Sequence, residues 1–67
     1  MKPIDLCSHI KGMKLADALV AIKSAGCTSR YIYLNGKNLI ENVTKDFDEA
    51  RLNLRVEQDI IKGARVG

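Results

Sequence analysis

The chain has 67 residues, 46% of them hydrophobic, and a net charge of +3 from 11 Lys and Arg against 8 Asp and Glu. That is the length of one domain, and one so small buries only about 60% of the surface its unfolded chain exposes, so its core needs help. Charges of both signs alternate along it, which excludes disorder by net charge and the dense basic footprint of a nucleic-acid binder; no apolar run approaches the roughly 20 residues of a membrane span, and no signal-like segment follows Met1.

Met1 to Lys11 contains one Pro and alternates in polarity without a helical period, which reads as an extended arm. After Gly12, residues 13–25 place Leu15, Leu19 and Ile22 at i, i+4 and i+7, flanked by Ala18 and Ala25. This spacing predicts a helix with one apolar stripe, ended by Gly26. Residues 30–34, Arg-Tyr-Ile-Tyr-Leu, carry the aromatic and β-branched signature of a strand, closed by the turn pair Asn35-Gly36. Residues 51–56 alternate, with Leu52, Leu54 and Val56 on one face and Arg51, Asn53 and Arg55 on the other, as a half-buried strand does. Residues 59–67 hold a terminal segment with a short edge strand around Ile60 and Ile61.

Between the two strands, residues 35–50 form a long connection for so small a domain. Such loops are functional or disordered, and Leu39, Ile40, Val43 and Phe47 favour function. Strands joined by a loop of this length can pair parallel. The expected fold is therefore α+β: one helix packed on a small sheet, with a parallel pair joined by a long exposed loop. Leu15, Leu19, Ile22, Ile32, Leu34, Leu52, Leu54 and Val56 are its expected core, and Tyr31 and Tyr33 share a strand face.

The residues offer little for catalysis. One histidine, two cysteines and no clustered carboxylate pair make no catalytic set, so no enzyme and no cofactor are expected. Cys7 and Cys27 are an even count in a small domain and predict one disulfide, worth on the order of 3 kcal/mol if unstrained; two reduced thiols are the alternative. Adding His9 gives three ligands without a matching spacing, so no metal site is expected.

Val43-Thr44-Lys45-Asp46-Phe47 resembles the reactive loop of the potato inhibitor I family of serine protease inhibitors, the eglin and barley chymotrypsin inhibitor type. Arg51-Leu52-Asn53-Leu54-Arg55-Val56 is similar to the strand that follows that loop. Ala64-Arg65-Val66-Gly67 resembles the family's Pro-Arg-Val-Gly ending, and Gly12 with the helix pattern resembles its helix entrance. The likeness runs from about Ile10 onward. The chain departs from the pattern in lacking Trp-Pro before the helix, where Cys7-Ser8 stands, in a longer connection from Gly36 to Val43, in a shorter hairpin after Val56, and in Asn53 at the place of a second supporting arginine.

The resemblance implies a monomeric, secreted, non-enzymatic inhibitor whose partner is a trypsin-like serine protease. Lys45 would enter the primary specificity pocket, whose buried Asp pairs with Lys or Arg. Lys45–Asp46 would be the bond presented, with Val43, Thr44 and Phe47 as loop contacts. Slow release needs a loop already held in its bound form. The resemblance implies that Asp46 pairs with Arg51 and that Thr44 is hydrogen-bonded towards Asn53. A non-inhibitory binding module on the same fold is the alternative. Asn42-Val43-Thr44 also matches the N-glycosylation acceptor pattern, and a glycan there would obstruct docking, so Asn42 is expected to be unmodified in an active form.

Overall fold

The computed structural model describes residues 1–67, with every side chain except that of Asn42, so the glycosylation expectation at Asn42 lies outside the described side chains. The fold is α+β. Two helices, α1 (Pro3–Ile10) and α2 (Leu15–Ser24), pack on a mixed sheet of β1 (Thr28–Leu34), β2 (Lys37–Asn38), β3 (Arg51–Glu57) and β4 (Ile60–Val66). The strand order is β2-β1-β3-β4. β1 and β3 run parallel, as expected for strands joined by the long connection, and the outer pairs are antiparallel.

The first helix corrects the expected arm. Residues 1–11 are not extended: Pro3 occupies the first turn, where its missing N–H costs nothing, Asp5 stands near the positive end and His9 near the negative end. Leu6 and Ile10, one turn apart, are 2% and 0% exposed and drive the segment onto the sheet. α2 begins two residues later than the stripe suggested, because Met13 and Lys14 pair with β4 instead: Ile61 N donates to Met13 O at 2.9 Å. It ends as the Gly26 signal predicts. Gly26 sits at φ +76°, Gly26 N donates to Lys23 O and Cys27 N to Ile22 O, the paired bonds of a Schellman cap.

Two tight turns set the sheet. Asn35-Gly36, at φ +47° and +91°, joins β1 to β2, and Gln58-Asp59, at φ +53° and +60°, joins β3 to β4. The turns are clamped together: Asn35 Nδ2 donates to Asp59 Oδ1, and Asp59 N donates back to Asn35 Oδ1, both at 3.2 Å.

The core lies between the helices and one sheet face: Leu6, Ile10, Ala18, Ile22, Leu52, Leu54, Val56 and Ile61, with Leu15, Leu19 and Leu34 packed at its margin. Ile32 is not part of it. The β1–β3 register slips between Tyr31 and Tyr33, which oppose Leu54 and Arg55. This bulge turns the strand, so Tyr31 packs on the core while Tyr33 lies under the Arg55 guanidinium, 5.7 Å from ring centre to carbon. The two tyrosines therefore do not share a face. Ile32 instead borders a hollow on the opposite side of the sheet, beneath the long connection.

In this structure the two cysteines of the expected disulfide, Cys7 and Cys27, are half-buried and unjoined, and burial pushes the Cys7 thiol above its ordinary range.

Candidate functional site

The connection between β1 and β3 is anchored at both shoulders. Behind β2, Leu39 N donates to Ile32 O and Ile40 N to Asn38 Oδ1, and a 3-10 turn at Ile40–Asn42 follows. Val43 leaves that turn extended, at φ −103° and ψ 151°. At the far shoulder the Asp48 carboxylate accepts Ala50 N at 2.9 Å, Arg51 N donates to Asp48 O, and Thr28 N donates to Ala50 O. Between the shoulders, residues 44–48 belong to no helix or strand.

Thr44, Lys45, Asp46 and Phe47 are all exposed, and Val43 is half-buried. Phe47 is 74% exposed, with its ring edge against Gly67, and with Ile4 it borders a shallow apolar groove.

Arg51 holds the loop from β3. Its Nη2 donates to Asp46 O at 2.7 Å and lies 3.5 Å from Asp46 Oδ2, which meets the expected Asp46–Arg51 pairing. The same guanidinium is itself fixed, since Nε and Nη2 both donate to Gly67 O, at 3.2 and 2.6 Å. Gly67 N returns a bond to Arg51 O, and Asp48 N donates to Gly67 O. The terminal glycine is thus a hub between loop and strand. The Asp46 carboxyl is held below its ordinary range, first by the Thr44 hydroxyl and its own backbone N–H, then by the charges of Arg51 and Arg30.

The second prop differs from expectation. Thr44 is not bonded to Asn53. Arg30, on β1, donates through Nη1 to Thr44 Oγ1 at 3.0 Å and through Nε to Asn53 Oδ1. Arg30 and Asn53 are register partners across the parallel pair, so they share the face beneath the loop. Asn53 thus acts one step back, orienting the arginine that reaches the loop, while its Nδ2 points at Arg65 O, 3.4 Å away. An arginine in the neighbouring strand stands where the resemblance implies one in β3 itself.

Arg30 was not among the residues the sequence singled out. Its only signal was a cation at the start of the strand parallel to Arg51–Val56, and that becomes a contact only once the register is known. Gly67 was likewise visible only as part of a terminal motif.

Compared with known proteins, the chain matches no family model, no curated protein and no solved structure. Among the described residues no group of His, Cys, Asp and Glu could hold a metal ion.

Proposed function

We propose that the chain inhibits a trypsin-like serine protease by presenting Lys45–Asp46 as a substrate that is bound well and released slowly. The observation that carries this reading is the loop's support. An exposed segment with Lys45 at its centre is gripped on both sides of that residue by guanidinium groups rising from the sheet, Arg30 at Thr44 and Arg51 at Asp46. The resemblance of Val43–Phe47 to the potato inhibitor I loop adds to it, as does the exposed Phe47 just beyond the presented bond.

Charge-assisted bonds of this kind are stronger than neutral ones, and two of them bracket one peptide bond. A loop held before docking loses less freedom on association. If the protease cleaves Lys45–Asp46, Arg30 and Arg51 keep the two new ends near each other. The freed amine of Asp46 then attacks the acyl-enzyme at Lys45 in competition with water. The Lys45 side chain accounts for the class of enzyme, because a pocket with a buried Asp selects a basic residue.

The test is titration of trypsin, chymotrypsin and subtilisin with the chain and with Lys45→Ala. Trypsin alone should be strongly inhibited, and the substitution should abolish the effect. Rapid, complete hydrolysis at Lys45–Asp46 without inhibition would make the chain a substrate and refute the proposal.

A further inference from the structure

The space beneath the loop offers apolar walls and the Arg65 cation, which protease inhibition does not use, beside residues that it does. It is an open hollow of about 400 Å³, within the range of small-ligand clefts. Ile32, Ile40 and Val43 form apolar walls, and Arg30, Lys45 and Arg65 supply three cations. No carboxylate is among the described residues that line it. Arg30 commits Nε and Nη1 to Asn53 and Thr44, and its Nη2 has no partner among the described residues. The guanidinium of Arg65, an exposed residue in register with Asn53, has no hydrogen-bond or ion-pair partner among the described residues.

Two guanidinium groups lining one hollow beside apolar walls suit a ligand that has a charged planar head and a hydrocarbon body. We propose that this hollow binds small amphiphilic carboxylates, the head taken by Arg65 with Arg30 and the body laid against Ile32, Ile40 and Val43. A guanidinium presents its donors as a fork matching two carboxylate oxygens, which an ammonium does not. Inorganic ions leave the walls unused, and neutral hydrocarbons leave the cations without a partner. Because the hollow is open on one side, the dissociation constant should be on the order of millimolar. The ligand would fill the gap between the sheet and residues 43–45. This proposal stands whether or not Lys45 enters a protease.

The experiment is a ¹⁵N NMR titration of the full chain at pH 7 and fixed ionic strength with sodium hexanoate, sodium acetate and 1-hexanol. Hexanoate should give saturable shifts concentrated at residues 30, 32, 43–45, 53 and 65. Acetate and hexanol should each bind at least several-fold more weakly. Arg65→Gln, at an exposed position that tolerates it, should weaken hexanoate about tenfold, the size expected for one charge-assisted bond. Equal binding of hexanol or acetate would overturn the assignment, as would shifts that never saturate or an Arg65→Gln variant with unchanged affinity.

Discussion

Replacing Arg30 by Met tests the least expected feature of the loop. Methionine keeps much of the unbranched stem, so the loss is confined to the two bonds the guanidinium donates. The bond to Asn53 is partly shielded and the one to Thr44 exposed. Charge-assisted bonds contribute roughly 1.5–3 kcal/mol where shielded and less in water, and Asn53 can recover part of its loss by binding water. A net cost of about 1–2 kcal/mol to the held loop follows. Each 1.4 kcal/mol is a factor of about ten, so trypsin inhibition should weaken roughly 5- to 30-fold. The assay is the inhibition constant together with the rate of Lys45–Asp46 hydrolysis, which should rise. A second readout does not depend on any protease: the ¹H–¹⁵N heteronuclear NOE of residues 44–46 should fall. Combining Arg30→Met with Thr44→Val should cost less than the sum of the two, since both remove one bond. An inhibition constant within twofold of the parent, with unchanged NOE values, would refute the role of Arg30 and leave Arg51 as the loop's sole prop.

Other measurements reach different parts of the molecule. Ile10→Ala should destabilise the fold by about 2–5 kcal/mol in urea unfolding, because a side chain 0% exposed leaves a cavity, whereas Ile4→Ala, at 70% exposure, should change little; equal effects would mean that α1 does not dock as described. The lowered Asp46 pKa means that folding favours its carboxylate, so its contribution is present above the unfolded value and is lost as pH falls through the folded one. Loop support should therefore persist to below the ordinary carboxylate range, and an NMR titration should find the Asp46 midpoint there and rising in Thr44→Val; a midpoint unmoved by that substitution would remove the hydroxyl's part. Intact mass before and after reduction should be the same, with Cys7 and Cys27 both open to alkylation on unfolding. A gain of two hydrogens on reduction would restore the disulfide that the sequence suggested.

Features set by near neighbours in the chain were legible beforehand. The α2 stripe, the alternation of Arg51–Val56, the Gly26 cap and the Asn35-Gly36 turn each follow from periodicity or local backbone preference, which act over a few residues. The parallel pairing followed from the length of the connection. The first helix was missed because only Leu6 and Ile10 mark its buried face, a pattern too short to stand out from an alternating arm. Its stability comes from the surface it docks on.

The Val43–Phe47 motif and its offset to Arg51 were also written in the chain, and the Asp46–Arg51 pair, which the resemblance implied, joins residues only five positions apart. The rest needed the sheet. A single slip after Tyr31 decided that Ile32 leaves the core and that Tyr31 and Tyr33 part company. The same parallel register brought Arg30 beside Asn53, 23 positions away, and so beneath Thr44. Sequence alone determined what the loop displays. Which side chains hold it was decided by strand register, because that depends on how two distant segments bury their apolar faces together, and no local preference encodes it.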